Sequence, residues 1–208
     1  MKAGLCALIL GMRAMAGTSR VPLTVQTDPP QLSIPDSKVP VTLGVMSRCP
    51  DALLCESVFD YVLKRVADKV DMSLTFIGKL NSTEPDFGVT CMHGSDECAG
   101  NNYQGRDKIG TPATALQCAE TVHIDWENSK VGECAGTDGS GKAAEGVQLL
   151  QESVQATRAL GIEKSCTVLI NGRQVCIRDG EWKECEGGHT PNDFVRQINE
   201  EYDKLNSV

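Results

Sequence analysis

The sequence lacks several features that would point to common classes of protein. Its longest apolar stretch, residues 3–12, is followed at once by Arg13, and it is shorter than the roughly 20 residues that a membrane-spanning helix needs. No block of lysines or arginines occurs, and the formal net charge is −8, so the electrostatic footprint of a nucleic-acid-binding protein is missing. The G-x-S-x-G elbow of a serine hydrolase is also missing. We therefore expect no membrane span, no nucleic-acid partner and no serine hydrolase.

Aromatic residues are scarce as well, at 4%, but hydrophobic residues make up 40% of the 208 residues. That is enough for one globular domain with a sizeable core.

Ten cysteines are present, a density that suits an oxidising compartment. The tripeptide Asn81-Ser82-Thr83 is an acceptor sequence for N-glycosylation. Both features favour the secretory pathway.

The N-terminus has the pattern of a secretory signal. Lys2 precedes the apolar stretch, and Ala14-Met15-Ala16 has the small residues of a cleavage site. We expect residues 1–16 to be a signal peptide and residues 17–38 to form an extended, proline-containing leader. The domain is then expected to occupy residues 39–208.

The order of apolar patterns predicts a mixed α/β domain. Residues 41–46 favour a strand, apolar positions at helical spacing follow from Leu54, and residues 72–76 alternate as a second strand. A helix joins these strands, so we expect them to be parallel. The other predicted elements are helices at about 111–126 and 143–160, a hairpin of strands 167–170 and 174–178, and a last helix from residue 190. This order resembles a thioredoxin-like fold with a helical, disulfide-containing insertion at about residues 81–142.

Cys49 is the first candidate for chemistry. Nine cysteines remain if Cys6 leaves with the signal, and an odd number leaves at least one thiol without an internal partner. Cys49 ends the first strand, and Pro50 favours a helix start there, so the positive end of the helix favours the thiolate. Position 52 is alanine, and the next cysteine is Cys55. In a regular helix Cys55 lies about 9 Å along the axis, so it is either a buried core thiol or, if the helix starts late, a redox partner.

Residues 91–101, with the sequence CMHGSDECAGN, are the most specific stretch in the chain. They resemble the signature of the gamma-interferon-inducible lysosomal thiol reductase family, C-Q-H-G-x-x-E-C-x-x-N-x-x-x-x-C. The matching positions are Cys91, His93, Gly94, Glu97, Cys98 and Asn101. Met92 replaces the glutamine, and Arg106 stands in place of the last cysteine.

The resemblance covers about residues 40–200. It implies a secreted or lysosomal (vacuolar), glycosylated, thioredoxin-like enzyme that reduces protein disulfides through a C-x-x-C pair. Cys49 matches the first cysteine of that pair, and Ala52 stands where the second should be. Cys166 stands where thioredoxin-like folds have a cis-proline. The resolving thiol, which must release the substrate, is therefore expected to be Cys55, or Cys166 if it faces Cys49.

Two other interpretations of the signature segment remain open. Its two cysteines can be disulfide staples that hold a long loop, or Cys91, His93, Cys98 and His123 can bind zinc, although the spacing fits no familiar ligand set. His93 is the best placed of the three histidines for acid–base work near a thiol. A separate structural disulfide is expected at the hairpin, among Cys166, Cys176 and Cys185.

The leading hypothesis is a thiol–disulfide oxidoreductase that needs no cofactor and no metal. In it the Cys49 thiolate attacks a disulfide-containing protein substrate, and Cys55 or free small thiols resolve the mixed disulfide. The alternative is a catalytically diminished, disulfide-stapled binding or chaperone-like protein of the same fold. Ala52 and Cys166 favour that alternative.

Overall fold

The structure is a computed structural model that describes residues 36–101 and 110–207. The expected signal peptide, nearly all of the expected leader, and Arg106 lie outside these residues. In the part of the chain that the structure describes, no helix is long and apolar enough to cross a membrane.

The described residues form a five-stranded sheet and a small two-stranded sheet. The main sheet has the order β2-β1-β5-β6-β7, and β3 pairs with β4 in the small one. β1 and β2 are parallel, as the joining helix predicts, and the other neighbours in the main sheet are antiparallel. The strands are β1 (Val39–Val45), β2 (Val70–Phe76), β3 (Lys79–Leu80), β4 (Val89–Thr90), β5 (Thr167–Ile170), β6 (Arg173–Asp179) and β7 (Glu181–Lys183).

Helices cover the main sheet and build the core. They are α1 (Pro50–Val66), α2 (Ser95–Gly100), α3 (Pro112–Thr121), α4 (Lys130–Ala135), α5 (Ala144–Ala159) and α6 (Pro191–Asn206). Helices α1 and α6 pack together, with the rings of Phe59 and Phe194 5.0 Å apart, and they enclose the main core with β1, β5 and β6. Helix α5 packs on β2, where the Thr75 hydroxyl donates to the Ser153 carbonyl at 3.2 Å.

The segment between β2 and α5 is the helical, disulfide-containing insertion. It holds β3, β4 and helices α2 to α4. Helix α5 lies close to its predicted span, but α3 ends at Thr121 and not near residue 126. The elements that the sequence did not predict are β3, β4, β7, α2 and α4, and each has six residues or fewer. Such lengths are too short for an apolar period to be recognised.

Local turn and capping interactions define the β5–β6 hairpin and the start of α6. Asn171 and Gly172 have positive φ angles of 50° and 73°, as the tight turn of a two-residue hairpin requires. Helix α6 begins with a reciprocal capping box, in which the Thr190 side chain accepts from the Asp193 backbone and the Asp193 carboxylate accepts from the Thr190 backbone. These signals are local, and the predicted hairpin and last helix are confirmed.

Candidate active site

Cys49 lies in the turn between β1 and α1 and is the N-cap residue of α1. Its backbone N–H donates to the Met46 carbonyl at 3.0 Å, and its own carbonyl accepts from the Leu53 N–H at 3.3 Å. The side chain is partly exposed and carries a free thiol, whose sulfur lies 3.8 Å from the Ser165 carbonyl oxygen. The predicted strand–thiol–helix arrangement is confirmed. Among the described residues, the other free thiol belongs to Cys134.

Cys55 lies on the buried side of α1 and forms a disulfide with Cys166. Their Cα atoms are 6.2 Å apart, and both residues are fully buried. Because α1 is helical from Pro50 onward, Cys55 is too far along the helix to bond with Cys49. Cys55 is therefore buried, as one interpretation predicted, but it is oxidised and not a free core thiol. Ala52 is 2% exposed and belongs to the same core cluster.

Cys166 is held beside the start of α1. The peptide bond between Ser165 and Cys166 is cis. The Cys166 N–H donates to the Arg178 carbonyl, and the Arg178 N–H donates to the Cys166 carbonyl, both at 2.8 Å. These two bonds extend the β5–β6 pairing by one step beyond Thr167. Cys166 thus has a fixed backbone next to the turn that carries Cys49.

The charged residues that flank Cys49 are engaged elsewhere. Arg48 pairs with Asp96 at 3.1 Å. Asp51 pairs with Arg178 at 3.2 Å and accepts a hydrogen bond from the Gly180 N–H at 2.9 Å. Each charge near the thiol therefore has a compensating partner, and the two ion pairs tie the turn to α2 and to the end of β6.

The two cysteines of the signature segment form a disulfide with each other. The Cα atoms of Cys91 and Cys98 are 5.6 Å apart, so the staple interpretation is confirmed. Oxidised sulfurs cannot bind zinc, and the zinc interpretation is therefore wrong. Residues 36–101 and 110–207 contain no group of three or more His, Cys, Asp or Glu side chains arranged to hold a metal ion.

Glu97 organises the rest of the segment from a fully buried position. Its carboxylate accepts a hydrogen bond from the His93 backbone at 3.2 Å and also contacts the Nδ1 atom of the His93 ring. Gly94 lies between them with a φ of 90°, a conformation that favours glycine. His93 is therefore bound to Glu97 through its ring, and its acid–base role near Cys49 stays a prediction.

The signature segment reaches the Cys49 turn through buried hydrogen bonds. The Ser47 N–H donates to the Asn101 side-chain oxygen, and the Ser47 hydroxyl donates to the Glu97 carbonyl, both at 3.0 Å. From the other side, the Met46 N–H donates to the Ser165 hydroxyl at 2.9 Å. The turn that presents the thiol is thus clamped between the signature segment and the loop before β5.

The model of the family named Gamma interferon inducible lysosomal thiol reductase (GILT) matches residues 40–136. That range contains both Cys49 and the whole signature segment. Residues 40–136 belong to the GILT family. Membership supports thiol–disulfide oxidoreductase chemistry in general. No curated protein matches the chain significantly.

Solved structures of low sequence identity are similar to this chain. A thioredoxin-like oxidoreductase from Silicibacter pomeroyi DSS-3 is similar with a TM-score of 0.51 and 12% identity, covering 83% of this chain and 91% of the other. DsbA from Pseudomonas aeruginosa has a TM-score of 0.46 and 10% identity, covering 85% of this chain and 88% of the other. The first of these supports the thioredoxin-like fold, which the sequence predicted.

The buried contacts between the GILT signature and the Cys49 turn make a testable prediction. Replacing Asn101 with alanine removes the acceptor of the buried Ser47 N–H, and an unsatisfied buried donor costs about 1–3 kcal/mol. We expect a loss of that size in the free energy of unfolding, measured with urea. Asn128→Ala is the matched control, because Asn128 is an exposed residue whose side chain bonds to nearby Asp125. Equal losses in the two variants would show that Asn101 does not anchor the turn.

The hairpin disulfide, the second free thiol and the glycosylation sequence complete the set of predicted features. Of the three cysteines considered for a hairpin disulfide, Cys176 and Cys185 form one with each other. Burial, and then the charge of Glu145, raise the pKa of Cys134 above its ordinary value, so this thiol is less ionised at neutral pH than an exposed one. Asn81 lies in the turn between β3 and β4, where its side chain accepts from Thr83.

Proposed function

We propose that this protein reduces protein disulfides, with the Cys49 thiolate as the attacking group. The observation that carries the proposal is a free, partly exposed thiol at the N-cap of α1 within a GILT domain. Attack on a substrate disulfide forms a mixed disulfide between Cys49 and one substrate sulfur, and the other substrate sulfur leaves as a thiolate. The signature residues act by holding the turn in place.

The surroundings of Cys49 suit this role. A helix start offers backbone N–H groups and the positive end of the helix dipole, which attract negatively charged groups. Pro50 occupies the first position of α1, where the missing N–H costs no hydrogen bond. The partner charges of Arg48 and Asp51 keep those side chains fixed. The thiol is accessible without a change in the fold.

The proposed partners are disulfide-containing proteins as substrates and small thiols as electron donors. We propose that the protein works in a secreted or lysosomal setting, reached through the secretory pathway, with glycosylation at Asn81. Three disulfides with both sulfurs in the described residues are consistent with an oxidising route of biosynthesis.

The test is the catalytic reduction of insulin with reduced glutathione as the electron donor. We expect Cys49→Ser to lower the rate to that of glutathione alone, because the other free thiol in the described residues, that of Cys134, has a raised pKa. Cys134→Ser is the matched control, since it removes the other free thiol, and it should keep the rate within about twofold. Insulin reduction that survives in Cys49→Ser would refute the assignment of the attacking thiol. Absence of reduction by the unaltered protein would favour the stapled binding protein.

A further inference from the structure

The surroundings of the Cys55–Cys166 disulfide carry a further inference. Cys49 packs against the core cluster that contains Ala52, Cys55 and Cys166. The Cys49 sulfur lies 3.8 Å from the Ser165 carbonyl oxygen, and that carbonyl belongs to the peptide unit that leads into Cys166. The free thiol therefore lies beside the peptide unit that joins Ser165 to Cys166.

The disulfide itself is closed to solvent, whereas the neighbouring Cys49 is not. Cys55 and Cys166 are each 0% exposed, whereas Cys49 is partly exposed. Thiol–disulfide exchange needs the attacking sulfur to reach a disulfide sulfur directly. A small thiol in solution can reach Cys49 but not the buried pair. Any electrons that enter or leave the pair in the folded protein must then pass through Cys49.

We infer that Cys49, Cys166 and Cys55 form a three-cysteine relay, in which Cys166 takes the resolving role that Ala52 cannot perform. The inference rests on the proposed function and names the resolving groups of the same site. Cys166 is assigned the first resolving step because the Ser165 carbonyl, in the peptide unit that leads into Cys166, lies beside the Cys49 sulfur. Cys55 lies about 9 Å along the helix from Cys49, and it takes the second step.

The reducing half of the cycle starts with all three residues as thiols. The Cys49 thiolate attacks a substrate disulfide and releases one substrate thiol. The Cys166 thiolate then attacks the Cys49 sulfur, which releases the second substrate thiol and forms a Cys49–Cys166 disulfide. Finally the Cys55 thiolate attacks the Cys166 sulfur and releases Cys49. The substrate has gained two electrons and two protons, and the protein returns to the state that the structure has, with Cys55–Cys166 oxidised and Cys49 free.

The second half of the cycle reduces the buried disulfide back to two thiols. It uses the same sulfurs, with a small monothiol as the reductant. The Cys49 thiolate attacks the Cys166 sulfur and displaces Cys55. One monothiol attacks Cys49 and displaces Cys166, which leaves a mixed disulfide on Cys49. A second monothiol attacks that mixed disulfide at the sulfur of the first monothiol and frees Cys49. Two monothiols become one small disulfide, and the buried pair becomes two thiols.

The test follows the redox state of each cysteine in the unaltered protein through a single turnover. The native protein is incubated with excess reduced glutathione, freed from it, mixed with one equivalent of insulin, acid-quenched and alkylated for peptide mass spectrometry. We expect label on Cys49, Cys55 and Cys166 before insulin is added. After insulin, label is expected to be lost from Cys55 and Cys166, with their disulfide restored and Cys49 still labelled.

Two variants sharpen the test. In Cys49→Ser, glutathione should fail to reduce the buried pair, because the entry point is gone. In Cys55→Ser, the Cys49–Cys166 disulfide should accumulate, because the last step is blocked. If the single variant Cys55→Ser does not fold, the unaltered protein and Cys49→Ser decide the question alone.

Failure of the relay is distinguishable from failure of the proposed function. If insulin is reduced in a Cys49-dependent way while the Cys55–Cys166 bond stays oxidised throughout, Cys49 works with small thiols alone and the relay is overturned. Equal reduction of the buried pair in Cys49→Ser and in the unaltered protein also overturns it. If the unaltered protein reduces no insulin, the proposed function fails, and the relay fails with it.

Discussion

Removing the Cys55–Cys166 disulfide is expected to lower the free energy of unfolding by about 5 kcal/mol. The bond joins residues that are 111 positions apart, and a cross-link that closes a long loop restricts the unfolded chain more than one that closes a short loop. Cys176 and Cys185 are 9 positions apart, for which the same relation gives about 2.6 kcal/mol. The long-range bond is therefore expected to contribute about twice as much.

The measurement is urea unfolding of two double variants, Cys55→Ala with Cys166→Ala and Cys176→Ala with Cys185→Ala. Each variant removes two sulfurs and one disulfide. The two variants therefore form a matched comparison in which the main difference is the length of the loop that the disulfide closes. A greater loss in the first variant is the expected result. A loss in the second variant that equals or exceeds it would show that Cys55–Cys166 does not constrain the unfolded chain as its sequence separation implies.

This stabilisation bears on the direction of the redox chemistry. By linkage, a disulfide that stabilises the fold is itself stabilised by the fold, so the oxidised pair is favoured over the two thiols. A pair that favours its oxidised state is, once reduced, a strong electron donor, whereas strong oxidants such as DsbA are stabilised in the reduced state. The long loop that Cys55 and Cys166 close therefore favours reduction of substrates over their oxidation.

Replacing Ala52 with cysteine is expected to abolish alkylation of Cys49 in the oxidised protein. Position 52 is three residues beyond the N-cap of α1, about 4.5 Å along the helix axis and within the Cα separation that a disulfide allows. The added sulfur should therefore bond to Cys49 and restore the C-x-x-C pair of the GILT family. Labelling of Cys49 should fall from nearly complete to nearly none, and reduction with dithiothreitol should restore it.

Ala52→Ser is the control for this change. Serine has nearly the size of cysteine and adds the same crowding at a position that is 2% exposed, but it cannot form a disulfide. Cys49 should remain open to alkylation in the serine variant. Complete labelling of Cys49 in the oxidised cysteine variant would show that the turn does not present positions 49 and 52 to each other.

Local signals carried most of the prediction of the fold and of Cys49. The strand before Cys49, Pro50 after it and the apolar period of α1 are all read within about 25 residues, and each has a direct physical cause. The capping residues of α6 and the Asn171-Gly172 turn are equally local. The GILT signature was recognisable because its residues lie together in the chain, although their structural roles were not.

The contacts that complete the site could not be predicted, because they join distant parts of the chain. The Met46–Ser165 hydrogen bond spans 119 positions and the Ser47–Asn101 bond spans 54, and neither serine lies in a recognisable motif. The bond between Cys55 and Cys166 is a similar case. Sequence alone suggested each of these cysteines as a partner for Cys49, whereas the structure pairs them with each other. The sequence could not select this pairing, because nine cysteines allow many pairings.

The central claim, that Cys49 is the thiol that attacks disulfides, is tested most directly with 5,5′-dithiobis(2-nitrobenzoate) and the native protein in the absence of reductant. Because Cys55 and Cys166 are already oxidised, they cannot resolve a mixed disulfide that forms on Cys49. We expect rapid release of nearly one thionitrobenzoate per chain, with the adduct on the peptide that contains Cys49 and with slower reaction at Cys134. An adduct that forms first on Cys134, or rapid release that persists in Cys49→Ser, would contradict the claim.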